Sequence, residues 1–172
     1  GTRYKFDHYD PSATVNMTED KTITLVYKTQ HYLTVVSPYG ITGGNDWYNA
    51  SDIAYASLNT GIVDHENGTR RVFTSWSGDA SGIEYSQSDP IIMDGPKTAI
   101  ANWKTEHRLT VRTSGLATHN SNVYNGTNIL GMATDATPYT GWFEEGSLIQ
   151  LDIDSPITDG SKRLVFIQWT GD

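Results

Sequence analysis

The chain has 172 residues, enough for one ordinary domain or two small ones with modest cores. Its 12 basic and 20 acidic residues give a formal charge of −8, and the basic residues are scattered rather than clustered, which argues against nucleic acid as a partner. No apolar run reaches the roughly 18 residues of a membrane span, no basic-then-apolar leader opens the chain, and the absence of cysteine excludes disulfides and thiolate metal sites.

In chain order, residues 22–28 alternate apolar and polar side chains, so a strand covered on one face is predicted, with Ile23, Leu25 and Tyr27 inward. Residues 32–36 form a second, consecutive β-branched run. The Gly, Asn and Pro content of residues 37–46 predicts a long surface loop. Residues 53–58 read as a short strand, and residues 64–68 as a tight connection into the strand that carries Phe73 and Trp76. Residues 113–139, rich in Asn, Thr, Ser and Gly, read as an exposed loop that Ile129 and Leu130 would anchor. No stretch has a 3.6-residue period.

The chain is also internally repetitive. Residues 71–79, containing Phe73, Trp76, Gly78 and Asp79, recur at residues 164–172 as Phe166, Trp169, Gly171 and Asp172, and residues 4–10 are a worn copy. Residues 17–35 match residues 93–111 at an offset of 76, pairing Met17 with Met93, Tyr27 with Trp103, His31 with His107, Leu33 with Leu109 and Val35 with Val111. Trp47 and Tyr48 match Trp142 and Phe143 at an offset of 95. These frames divide the chain into an N-terminal half-repeat (1–31), a complete module (32–106) and a second module (107–172) without a counterpart of residues 80–104. Residues 11–28 are that counterpart. They complete their own chain, complete a neighbour, or mark a cut through a longer repeat array.

The run Phe73-Thr74-Ser75-Trp76-Ser77-Gly78-Asp79, followed by Met93-Asp94-Gly95-Pro96-Lys97-Thr98 and Trp103-Lys104-Thr105, resembles the divergent bacterial and archaeal cell-surface repeat related to internalin-type B-repeats. The resemblance implies compact β-modules strung along secreted proteins in a spacer, adhesive or filament role. It carries over no catalytic residue.

Phe73, Trp76, Trp103, Phe166 and Trp169 are the expected repeat-core residues. Phe73 and Trp76, three apart, would fall on opposite sheet faces under strict alternation, so a bulge or strand end is expected between them. Asp79 is expected to accept local backbone N–H bonds after the Gly78 turn. No cofactor is implied. Calcium at Asp79, Asp94 or the Asp152-Ile153-Asp154 run is the alternative, without a dedicated calcium-loop spacing. Four sequons make Asn16, Asn49, Asn67 and Asn125 N-glycosylation candidates. His8, His31, His65, His107 and His119 lack metal spacing, and His31 and His107 suit a strand-edge surface role. Glu144 and Glu145, adjacent on an extended chain, point apart and read as an acidic turn rather than a glycosidase pair. Trp47, Tyr48, Trp142 and Phe143 suit core packing better than sugar stacking.

The sequence therefore predicts an all-β, non-enzymatic protein of two small immunoglobulin-like β-sandwich modules in tandem, with β-grasp-like repeats as the alternative. It would be an extracellular, cell-surface structural subunit of a filament or surface layer. Copies would join head-to-tail, with Ile23, Leu25 and Tyr27 as the donated strand. The other reading is an adhesin or carbohydrate-binding segment of a larger surface protein. Partners are copies of itself and covalent glycans, with no nucleic acid and no membrane span.

Overall fold

A computed structural model describes residues 1–114, 121–133 and 137–171, and these residues are all-β, with several sheets and no helix. His119 and Asp172 lie outside the described residues. The strands are β1 (Thr2–Asp10), β2 (Thr24–Val36), β3 (Thr42–Gly43), β4 (Asp46–Asn49), β5 (Ile53–Ala54), β6 (Ser57–Leu58), β7 (Ile62–Asp64), β8 (Thr69–Gly78), β9 (Ile91–Ile92), β10 (Lys97–Val111), β11 (Ser121–Asn125), β12 (Asn128–Ala133), β13 (Tyr139–Glu144), β14 (Leu151–Ile153), β15 (Ile157–Asp159) and β16 (Lys162–Leu164). Two compact units result: Gly1–Val63 with Arg71–Lys104, and Asp64–Arg70 with Thr105–Asp172.

The first unit is built on β2. The two consecutive runs read from the sequence form one strand, because residues between them keep backbone partners. Gln30 and His31 lie opposite Arg3 and Thr2 of β1, and also opposite Asn49 and Tyr48 of β4. Farther along, Leu33–Val36 pair in parallel with Lys97–Ile100 of β10. Leu33 and Val35 alternate into a core with Ala54, Ala56, Leu58, Phe73, Trp76, Ile91, Met93, Ala99 and Ala101. His31 is buried rather than at a strand edge; Thr2 Oγ1 lies 3.1 Å from its Nδ1. The loop expected over residues 37–46 is interrupted by β3, and the short strand expected over residues 53–58 is split into β5 and β6, which pair with β9 and β3.

Phe73 and Trp76 enter the same core, with rings 5.3 Å apart. The irregularity this demands appears in the corresponding part of β1, where the register with β2 shifts between Phe6 and His8.

In the second unit, Glu106–Val111 of β10 pair antiparallel with Tyr139–Glu144 of β13. The connection over residues 64–68 is tight, as expected: His65 N donates to Thr69 O at 3.0 Å, and Glu66 and Gly68 take φ of 61° and 82°. The loop predicted over residues 113–139 is overturned. It holds the hairpin β11–β12, with Gly126 at φ 59° in the turn, and β11 also pairs with β14. Val123 and Ala133 on that hairpin form the unit's buried core with Val111; of the two expected anchors Leu130 packs against it, while Ile129 is 65% exposed. An Asn-Gly pair between extended runs is a hairpin signal, and here it outweighs the polar composition.

Candidate functional site

The two units carry the same aromatic pair in opposite circumstances. In the first unit Phe73 and Trp76 are 9% and 4% exposed. The chain that follows covers them: Trp76 N donates to Gly82 O at 2.9 Å and its indole Nε1 to Glu84 O at 2.9 Å, while Ile91, Met93, Ala99 and Ala101 complete the core. Trp103 packs at the margin, 5.9 Å from Phe73, and its Nε1 donates to Ser37 Oγ at 3.0 Å.

In the second unit the Phe166 and Trp169 rings stand 5.2 Å apart at 55°, close to the 5.3 Å and 56° of Phe73 and Trp76. The local geometry is repeated without its cover. Phe166 and Trp169, expected in a core, are 39% and 45% exposed, and the described residues of this unit include no counterpart of residues 80–104. What remains is a groove of about 520 Å³, lined by Val111, Val123, Ile153, Ile157, Phe166 and Trp169 among others. Residues 111–114 lie along it. In the first unit, the equivalent residues Val35 and Val36 pair with Ala99 and Ile100.

Residues 11–28, the counterpart of the missing cover, lie on the first unit with their apolar side chains largely in water. Met17, Leu25 and Tyr27 are 70%, 52% and 53% exposed. Ile23 is half-buried and precedes β2. Among the described residues, the Leu25 and Tyr27 face of the strand predicted over residues 22–28 is thus left uncovered.

β1 stands on β2 as β8 stands on β10. Tyr32 N donates to Gly1 O at 2.9 Å, and Arg108 N to Gly68 O at 2.8 Å. Thr2 Oγ1 contacts His31 Nδ1 at 3.1 Å, and Thr69 Oγ1 contacts His107 Nδ1 at 3.3 Å. Arg3 Nε donates to Gln30 Oε1 at 2.8 Å with its guanidinium 4.4 Å over Trp47; Arg70 Nε donates to Glu106 Oε2 at 2.8 Å with its guanidinium 4.5 Å over Trp142. Phe6 lies 4.8 Å from Tyr9 and 5.8 Å from Tyr27, reproducing the Phe73, Trp76 and Trp103 cluster. Sequence reading missed the anchor of this arrangement, although Gly1-Thr2-Arg3 and Gly68-Thr69-Arg70 are identical triplets.

One feature of β8 has no equivalent on β1. Gly78 takes φ 80°, and a Cβ there would lie 2.5 Å from Thr98 O. This close approach lets Asp79 clasp β10: its N–H donates to Thr98 O at 2.8 Å, and its Oδ2 accepts from Thr98 N at 2.7 Å. The Asp79 contact is thus cross-strand, not local as expected. In the β1 copy the corresponding residues are Pro11 and Ser12. Proline holds φ near −65° and cannot take the glycine conformation.

The remaining candidates are locally engaged. Asp94 pairs with Lys97 at 2.7 Å, which holds its carboxyl below and the ammonium above their ordinary values. Asp154 accepts from Asn122 Nδ2 at 2.7 Å and from Tyr124 O–H at 2.8 Å; the latter bond raises the phenol's pKa. Among the described residues no three His, Asp or Glu converge as a metal site would require. Asn16 and Asn67 are exposed. Asn49 is half-buried, bonded to Gln30 and Asp52, and Asn125 accepts from Gln150 N at 3.1 Å. Tyr48 packs against the first core.

These features define an all-β protein of β-sandwich type with one closed and one open aromatic-lined core. Comparison of the chain with protein-family models, curated proteins and solved structures finds no match.

Proposed function

We propose that the protein is a structural subunit of an extracellular filament or surface layer, built from tandem immunoglobulin-like modules that join head-to-tail by strand complementation. One observation carries this reading. The Phe-x-x-Trp pair closed by residues 80–104 in the first unit borders a groove in the second, and the matching residues 11–28 are held out in solvent.

The first unit supplies the register of the joint. Lys97–Ile100 run parallel to Leu33–Val36, so Lys21, Thr22, Ile23 and Thr24 of one copy pair with Leu109, Thr110, Val111 and Arg112 of the next. Main-chain hydrogen bonds supply the pairing. Ile23 and Leu25, at the positions of Ala99 and Ala101, enter the groove with Met17, at the position of Met93. The contact joins unlike surfaces, so it propagates instead of closing as a dimer. A glycan at Asn16 is compatible with this joint, since the equivalent Ile92 is 59% exposed in the closed module. The resemblance to surface repeats agrees with an extracellular site. A sugar-binding role for Trp47 and Trp142 is disfavoured, because an arginine covers a face of each ring.

Leu25→Asp is the test. Leu25 is 52% exposed, so the isolated chain should unfold as the parent does, while its assembly, followed by sedimentation and electron microscopy, is lost. A parent chain that stays monomeric at high micromolar concentration, or a variant that assembles as well as the parent, overturns the proposal.

A further inference from the structure

The β2 edge that β1 occupies is itself the second half of the joint. We infer that this edge is the binding surface for residues 162–171 of a second copy, and that β1 is a stand-in which must leave when that segment arrives. The inference rests on the head-to-tail reading above.

In the closed module β10 lies between β2 and β8, and β8 lies between β10 and β7. In the joint, residues 21–28 of the incoming copy take the place of β10, residues 162–171 take the place of β8, and β15 takes that of β7. The pairing of β15 with β16 already matches that of β7 with β8. The incoming β2 must therefore pair on one side with residues 109–112 and on the other with residues 162–171. In the isolated chain the latter side is filled by β1 from Thr2 opposite His31 to Asp10 opposite Thr24, with one register shift between Phe6 and His8. A strand edge offers one set of N–H and C=O groups and takes one partner at a time. β1 and the second copy's C-terminal segment are competitors.

Their sequences say which is the weaker. All nine residues of β1 are exposed, so its hold is mostly backbone pairing plus the Thr2, Arg3 and Asp7 contacts and the ring contact of Phe6 with Tyr27. It has Tyr9 in place of tryptophan, and Pro11-Ser12 in place of the Gly-Asp clasp. The C-terminal segment has Arg163, Phe166 and Trp169 at the positions of Arg70, Phe73 and Trp76, and its Gly171 already has φ 126°. Asp172 follows in the sequence, with Thr22 at the position where Asp79 meets Thr98. Exchange therefore replaces a strand without a clasp by one that carries the whole motif.

The chain has no cysteine, so an engineered disulfide can lock β1 in place. Tyr4 and Thr29 lie opposite each other, and opposed antiparallel positions have Cα separations of about 4.5–5.5 Å, within disulfide range. The double variant Tyr4→Cys, Thr29→Cys should assemble when reduced and stop when oxidised. A synthetic peptide of residues 162–172 should bind the chain lacking residues 2–10 and the reduced variant, but not the oxidised one. Oxidised protein that assembles or binds peptide as the reduced form does overturns the exchange, even if assembly by groove filling stands. Failure of the peptide to bind the shortened chain also overturns it. Peptide binding that obeys the lock, without assembly of any form, upholds the edge as the peptide's site and locates the failure in the groove.

Discussion

Replacing Trp76 and Trp169 separately by alanine puts one question to two copies of the same position. Trp76 is 4% exposed, its ring lies 5.3 Å from Phe73, and its indole N–H donates to Glu84 O at 2.9 Å. Truncating a buried tryptophan costs about 3–5 kcal/mol through lost burial and the cavity left behind. Trp169 is 45% exposed. Its truncation removes the 5.2 Å ring contact with Phe166 and part of its covered area, about 1 kcal/mol. With a urea dependence of about 2 kcal/mol per molar, Trp76→Ala lowers the first unit's unfolding midpoint by about 1.5–2.5 M. Trp169→Ala lowers the second unit's by about 0.5 M. Urea titration of dilute protein, read by NMR cross-peaks assigned to each unit, separates the two. Equal losses would refute the claim that one copy is closed and the other open.

Gly78→Ala should lower the melting temperature, since φ 80° and the 2.5 Å approach of the new Cβ to Thr98 O cost about 1–3 kcal/mol of strain; calorimetry reads it. The exposed Asp7 carboxyl should titrate below its ordinary 3.8, chiefly because Lys28 hydrogen-bonds it and secondarily because His8 does. A depressed carboxylate supports the fold above its unfolded value and loses that support as pH falls through the folded one. Protection factors of the β1 amides, corrected for the intrinsic exchange rate, should therefore fall as pH drops below about 4, and Lys28→Ala should move the carbon-detected titration of Asp7 back upward. Glu106→Gln should cost about 1 kcal/mol, because Gln30 already accepts from Arg3 in the equivalent pair. Glu106→Ala leaves Arg70 without that partner and should cost about 2–3 kcal/mol by urea unfolding.

The all-β character and the match at an offset of 76 are legible because repeated side chains face repeated environments. The structure gives that match geometrical content: His31 lies opposite Tyr48 and His107 opposite Phe143. The polar composition of residues 113–139 masks the β11–β12 hairpin, whose signal is the Asn125-Gly126 turn, and with it the core residues Val123 and Ala133. Asp79 was given a local role because its partner, Thr98, is distant in sequence and reached only through the close approach at Gly78. The groove was legible only as an absence: nothing in residues 107–172 matches Ile91 or Met93. Its shape depends on how Phe166 and Trp169 are left standing, which requires coordinates.

The two solvent-facing copies of the aromatic motif are unequally complete. Substitutions at exposed positions are usually close to neutral for folding, and β1 lacks the tryptophan and the Gly-Asp pair. Residues 166–172 carry phenylalanine, tryptophan, glycine and aspartate, although Phe166 and Trp169 are as open to solvent as Phe6 and Tyr9. Exposure in the isolated chain does not account for that difference. The C-terminal copy carries the side chains of an interior strand at solvent-facing positions, which is what the proposed joint requires of it.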